Sequence, residues 1–366
     1  MSDWQEASLA DLAEYINGRA IKPEECSSAQ GIPIIRIKQI NDPQSIEDHF
    51  CGDDLEEKNI ARNGDLLFSW SATLKTILWQ GPTGAINQHI FKVLPKEGID
   101  KTFLHYLIEY SMPALAEESH GSTMKHIKKS ALSAFHLQVP PLPEQKKIAE
   151  ILYGIDRQIL SIKSVILQAQ KIRTAISKKL IGSIRDELVP LSEVIINHDS
   201  RRMPIKSEER ALRRGPYRYF GASGVIDTID DFLFDGCYIL IGEDGANIVD
   251  RNKPLAFKVS GRFWVNNHAH VIQPRESCDV NFLTYYLESL DYTKIASGSA
   301  QPKITRAALD AIQVPLPPLE IQKKIGAAIE SVVEVKVTAA KKEERLIVLR
   351  QALSADLLSG RKRVTV

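Results

Sequence analysis

The sequence predicts an α+β protein: two pseudo-symmetric globular units joined by two long helices that form an antiparallel coiled coil. Three observations predict it. The chain repeats itself at roughly half its length, two proline-free stretches carry apolar residues at heptad spacing, and the segments before them alternate short strand-like runs with turns.

The repeat is collinear. Gln145-Lys146-Lys147-Ile148 recurs as Gln322-Lys323-Lys324-Ile325, and Pro140-Pro141-Leu142 as Pro317-Pro318-Leu319, both 177 residues on. Gly121-Ser122 and Ile127 match Gly298-Ser299 and Ile304 at the same offset. Phe103-Leu104-His105-Tyr106 matches Phe282-Leu283-Thr284-Tyr285, and Asn87-Gln88-His89 matches Asn266-Asn267-His268, 179 residues on. Near the start, Leu9-Ala10-Asp11-Leu12 resembles Leu191-Ser192-Glu193-Val194. The order never changes, and small drifts in offset are what loop insertions produce. The period is too long for a solenoid. It is one domain plus an arm, and such a duplication lets one chain imitate a symmetric dimer.

The predicted boundaries are 1–143 and 186–318 for the globular units, with helices over 144–185 and 319–366. Within 1–143 the clearest strand is Gly64-Asp65-Leu66-Leu67-Phe68-Ser69-Trp70, preceded by Ile34-Ile35-Arg36-Ile37 and followed by Phe91-Lys92-Val93-Leu94. A short helix is predicted at 102–110. A Pro-rich hinge then leads into the first long helix. There Ile148, Leu152, Ile155, Ile159, Ile162, Ile166 and Ala169 form a heptad seam, which shifts to Ile172, Ile176 and Leu180 before a stop at Gly182. Within 186–318, Gly236-Cys237-Tyr238-Ile239-Leu240-Ile241-Gly242 is the corresponding strand, between Tyr217-Arg218-Tyr219-Phe220 and His270-Val271-Ile272, with a helix at 281–290. The second long helix begins near Glu320. Its seam reads Ile325, Ala328, Val332, Val335, Ala339, Leu346, Leu349 and Leu353, and it closes at Gly360. A seam this narrow calls for a partner helix rather than burial on all sides, so the two helices pair with each other.

Composition narrows the function. At 366 residues the chain exceeds one ordinary domain, and 43% apolar with 25% charged residues is globular composition. Lys+Arg 47 against Asp+Glu 46 leaves a net charge of +1, so any nucleic-acid role rests on local patches or on partner subunits. Cys26, Cys51, Cys237 and Cys278 form no CxxC pair, which fits a reducing compartment. A polar, acidic N-terminus and the lack of a long apolar run predict a cytoplasmic protein without a membrane span.

Catalytic motifs are missing. The two Pro-Pro pairs follow Val139 and Leu316, so neither is the Asn/Asp-Pro-Pro-aromatic tetrad of an amino-methyltransferase. There is no GxGxxG at a strand end and no GxxxxGK[ST] loop. Glu144-Gln145-Lys146 reads as the first turn of a long helix rather than a nuclease metal site. His268-Ala269-His270 has no carboxylate or thiol cluster beside it in sequence and reads as strand residues. Neither catalytic, cofactor-binding nor metal-binding residues are therefore expected.

Features that suit nucleic acid are present. Arg201, Arg202, Lys206, Arg210, Arg213, Arg214 and Arg218 cluster with Tyr217, Tyr219 and Phe220. Arginine suits phosphate contacts and bidentate readout of guanine. The same stretch also reads as a solvated loop balanced by Glu208 and Glu209. Lys125 and Lys128 follow the Gly121-Ser122 turn, and Lys303 and Arg306 follow its repeat. The stretches Asn87-Gln88-His89 and Asn266-Asn267-His268 supply amides able to pair with adenine edges, or simply shape turns, and Asn87, His89, Asn267 and His268 are taken from them as candidates. Lys38, Trp70 and Lys75 complete the first unit's candidate set.

In these residues the chain resembles the specificity (S) subunit of Type I restriction–modification systems. The resemblance is carried by residues 139–148 and 314–325, and by Gly64-Asp65-Leu66-Leu67 and Gly236-Cys237-Tyr238-Ile239. It covers both halves, with Cys237 standing where the pattern has aspartate and Leu319-Glu320-Ile321-Gln322 departing from Leu142-Pro143-Glu144-Gln145. It implies two target recognition domains, each reading one half of a bipartite asymmetric site in double-stranded DNA. It further implies helices that set the gap, methyltransferase (M) subunits using S-adenosylmethionine, and restriction (R) subunits using ATP and Mg. The chain itself would hold no cofactor. A Type IIB-like partner system, a solitary enzyme and a coiled-coil adaptor without DNA readout stay open.

Overall fold

The structure is a computed structural model, and it describes residues 4–43, 45–117, 127, 129–182, 184, 187–298 and 301–365. Two compact units divide the chain inside its long helices. The first comprises Met1–Ile162 with Lys342–Val366, the second Lys163–Lys341.

The first unit is built on an antiparallel sheet in the order Ala13–Asn17, Ile90–Pro95, Leu66–Ser69, Lys75–Leu78. A second sheet of short strands includes Ile32–Ile35, which runs parallel to Gly84–Ile86. Leu66, Leu67 and Phe68 are all fully buried, which is why that strand reads as an unbroken apolar run rather than an alternating one. The helix Lys101–Glu117 runs past its predicted end and through Pro113. Leu115, beyond the proline, is fully buried in the core with Phe103, Leu104 and Leu107, so packing outweighs the lost backbone bond. A ribbon of Gln5–Ser8 against His136–Val139 closes the domain. Ile148 and Leu152 of the first long helix, Leu142–Gly182, enter the same core, as do Leu357 and Leu358 of the second, Leu319–Leu358.

The second unit has a six-stranded sheet in the order Ile195–Asn197, Ala269–Pro274, Phe234–Gly242, Ala256–Val265, Tyr217–Gly221, Gly224–Ile229. One pairing, Tyr217–Gly221 with Ala256–Val265, is parallel. The ribbon recurs as Leu188–Pro190 against Gln313–Pro315. The helix Val280–Ser289 is capped by the Asp279 side chain. Phe282 packs with Ile325 and Ile329, and with Ile176, Leu180 and Ile181.

In each unit the end of one long helix lies beside the start of the other, which is the predicted antiparallel pairing. The first helix begins slightly earlier than expected, at Leu142, and the second at Leu319, where its predicted range starts. The seams need correction. Ile172, Val335 and Leu349 are exposed. The half-buried positions are instead Arg173 on the first helix and Lys336, Glu343 and Arg350 on the second. With these included, and with the fully buried Ile329 in place of Ala328, both seams keep a strict 4-3 spacing from Ile148 to Leu180 and from Ile325 to Leu357. A search for apolar residues alone slides onto their neighbours.

The Pro-rich segment is a clasp rather than a hinge. Gln145 is almost wholly buried. Its amide donates to the carbonyls of Pro140 at 2.9 Å and Gly98 at 3.2 Å, and its oxygen accepts the Asp100 N–H at 2.9 Å. Gln322 repeats this with Pro317 at 2.8 Å, Ser277 at 3.1 Å and the Asp279 N–H at 2.8 Å. Asp100 and Asp279 cap the helices of their domains. Glu144 is likewise structural, accepting from Trp4 at 3.1 Å and Arg363 at 2.7 Å. Burial works to raise the Glu144 carboxyl, but those hydrogen bonds outweigh it and hold it below the usual range.

Strand register also moves one motif match. Lys92 faces Leu67 in the first unit, and Val271, its repeat, faces Leu240 in the second. Tyr238, not Cys237, therefore occupies the place of Asp65. Asp65 pairs with the buried Lys92 at 3.0 Å. The second unit lacks both charges, as it must, because one alone would be an uncompensated buried ion.

Candidate nucleic-acid interface

In the second unit, strand alternation and the short helix Ser207–Leu212 bring arginines onto aromatic rings. Arg201 lies 4.6 Å over Phe234, Arg210 4.8 Å over Tyr219 and Arg213 5.4 Å over Trp264. Arg218 lies 5.3 Å over Phe220, and Arg262 4.8 Å over Phe232. Stacking holds each guanidinium plane while leaving N–H groups to donate. Arg201, Arg218 and Arg262 are exposed. Arg201 donates to the Leu233 carbonyl and Arg218 to that of Ser260 at 2.8 Å. Arg262 pairs with Asp235 at 3.1 Å and Arg213 with Asp230 at 3.0 Å. Arg214 is exposed and has no ion pair or hydrogen bond among the described residues. Sequence reading missed Arg262. Its signal was its place in a strand beside Phe263 and Trp264.

Arg202 is different: it is mostly buried. It donates to Glu243 at 2.6 Å and to the Ala269 carbonyl at 2.8 Å. Lys303 reaches the other oxygen of Glu243 at 3.1 Å with its own side chain half exposed. His270, fully buried, spans Asp199 at 2.6 Å and the Ile304 carbonyl at 2.8 Å. Burial pushes the Asp199 and Glu243 carboxyls up. The hydrogen bond from His270 for Asp199, and those from Arg202 and Lys303 for Glu243, win and hold both below the ordinary carboxylate range. This network is a braced structural core under an exposed rim. His268, on that rim, pairs with Asp244 at 2.8 Å, beside the exposed Asn267. Arg306, exposed, pairs with Asp310 along its short helix at 2.7 Å.

The first unit places its candidates more loosely. Trp70 sits 5.6 Å from His89 and 5.7 Å from Phe91, ring centre to ring centre. The Asn87 side chain accepts the His89 N–H at 3.4 Å. Lys75 donates to the Ile40 carbonyl at 3.1 Å, which holds the neighbouring helix, and Lys38 pairs with Glu47 on the surface. Lys125 and Lys128 lie outside the described residues. Among the described residues, no group of three or more His, Cys, Asp or Glu could hold a metal ion, and no helix is long and apolar enough to cross a membrane. The arrangement offers fixed hydrogen-bond donors, stacked cations and turn-borne amides, which is the chemistry of reading an anionic polymer.

Comparisons with known proteins point the same way. A family model described as Type I restriction modification DNA specificity domain matches residues 1–170 and again 187–347. A putative type I restriction enzyme specificity subunit of Haemophilus influenzae is 35% identical over 153 residues, spanning 42% of this chain and 38% of that protein. The type I restriction enzyme MjaVIII specificity subunit of Methanocaldococcus jannaschii is 24% identical over 406 residues, spanning 99% of this chain and 93% of that one. Among solved structures, the S subunit of a Type-I restriction-modification system from M. genitalium gives a TM-score of 0.74 at 16% identity, covering 97% of this chain and 96% of that one. A chain from a study of assembly and conformational transition in the type I R-M system gives 0.53 at 18%, covering 98% of each.

Proposed function

The chain belongs to the family of Type I restriction modification DNA specificity domains, of which it carries two copies, and from that premise we propose that each unit reads one half of a bipartite, asymmetric site in double-stranded DNA. The observation that supports this best is the set of ring-stacked arginines on the second unit. The chain is the non-catalytic member of its complex. M subunits dock on it and supply adenine-N6 methylation with S-adenosylmethionine, and R subunits supply ATP- and Mg-dependent cleavage. The complex works in the cytoplasm, consistent with four free cysteines. A nearly neutral chain suits this division, since the partners contribute phosphate-neutralising charge.

The test is to co-express the full chain with M subunits from the same genome and sequence the host's methylated bases. The expected result is one two-part motif, lost when this chain is omitted. The isolated chain, given S-adenosylmethionine, ATP, Mg and DNA, should neither methylate nor cut. Methylation or cleavage by the chain alone would overturn the reading.

A further inference from the structure

One turn is built the same way in both units. In the first, Asn87 N–H donates to the Ile35 carbonyl at 3.0 Å; in the second, Asn266 N–H donates to that of Phe220 at 3.1 Å. Each asparagine side chain then accepts the N–H of the histidine two residues on, His89 at 3.4 Å and His268 at 2.9 Å. The histidine carbonyl accepts from the residue that follows the central strand: Trp70 N–H at 3.3 Å, Glu243 N–H at 2.9 Å. That residue's carbonyl in turn accepts from Ile127 at 3.0 Å or Ile304 at 2.8 Å. Three separate matches of the sequence repeat thus converge on one bonded corner in each unit.

The side chains on this common frame differ. Trp70 in one unit stands where Glu243 stands in the other. Strand register likewise puts Phe91 where His270 lies. The residue held at the tip, however, is an exposed carboxamide in both: Gln88 and Asn267. Among the described residues the Asn267 side chain makes no hydrogen bond, and that of Gln88 bonds the His89 ring at 3.3 Å. The asparagines that precede them spend their own side-chain oxygens on the turn.

Resting on the DNA-reading function proposed above, we infer that Gln88 and Asn267 each read an adenine, one in each half-site, and that Asn87 and Asn266 are positioning residues. A carboxamide presents one donor and one acceptor side by side, which matches N7 and the N6 amine of adenine in the major groove. A turn bonded on both flanks has already lost its conformational freedom, so binding need not order it. A frame kept in both copies beneath changing side chains is what two readers of different half-sites require.

The experiment selects from a pool of randomised DNA duplexes with the full chain and its co-expressed M subunits. Wild type should select a two-part motif. Gln88→Ala should lose preference at one adenine of one half, by about tenfold, and leave the other half intact. Asn267→Ala should do the converse. Asn266→Ala should lose the same position as Asn267→Ala although the tip amide remains, and Asn266→Asp, which keeps the acceptor for His268, should restore it. Unchanged motifs in both tip variants, or an even loss of affinity with the motif intact, would overturn the inference while leaving the DNA-reading function standing. Failure of wild type to select any motif would instead remove that function, and this inference with it.

Discussion

Gln145 and Gln322 each satisfy three backbone groups from the inside of a protein, and so tie the start of a long helix to the domain before it. Removing either leaves buried carbonyls and an N–H without partners, at about 1–3 kcal/mol for each group left dry. Gln145→Ala should therefore destabilise the first unit by roughly 2–4 kcal/mol after water re-enters part of the site. Gln145→Glu should be no better, because a carboxylate cannot donate to Pro140 and Gly98. Hydrogen exchange across 98–107 reports this directly, and unaltered protection would mean the clasp is incidental. The sequence displayed these glutamines plainly as repeat residues, but not their use: a run after prolines looks like a hinge, and burial of a polar side chain leaves no periodic trace. Arg202 escaped for the opposite reason. It looks like its arginine neighbours, and only the fold brings Glu243 and the Ala269 carbonyl to it.

The long helices were legible in length, start and stop, since prolines, heptads and terminal glycines act locally. Their seams were legible only where apolar. Lys336, Glu343 and Arg350 fall on one heptad position in succession, and polar residues there fix register and orientation at some cost in stability. Arg350 shows how. It donates to Glu109 and, at 3.2 Å, to Asp156, and lies 5.4 Å over the Tyr106 ring, whose hydroxyl donates to Asp156 at 2.9 Å. The second unit ties Tyr285 to Glu330 similarly, with Lys258 reaching the same carboxylate at 3.0 Å. Arg350→Ala should cost the first unit about 1–3 kcal/mol, less than a fully buried pair because Glu109 and Asp156 stay partly wet. Protection of 101–117 in hydrogen exchange is the readout, since the two units need not unfold together. A double-mutant cycle with Asp156→Ala isolates the pair; zero coupling would assign the position to packing alone.

At the scale of the whole molecule, the unit borders fall within the helices, so residues 1–162 lack part of their own core. Leu357, Leu358 and the Arg363–Glu144 pair come from the far end of the chain. What can be exchanged is therefore not a compact unit but the domain held inside the ribbon and the clasp. Gln322 bonds the Pro317 and Ser277 carbonyls and the Asp279 N–H, all backbone groups. The Leu188–Pro190 ribbon with Gln313–Pro315 is likewise a backbone ladder. Neither grip depends on which side chains the domain carries, so recognition surfaces can change without disturbing the frame. Replacing residues 191–312 by the corresponding segment of another family member should yield a folded protein whose methylated motif keeps the first half-site and adopts the donor's second. In that chimera Gln322→Ala should destabilise the second unit as much as it does in the parent, because the grip reads no sequence. A motif changed in both halves would mean that the two readers are coupled. A chimera in which Gln322→Ala cost nothing would mean that the clasp recognises its own domain rather than a backbone.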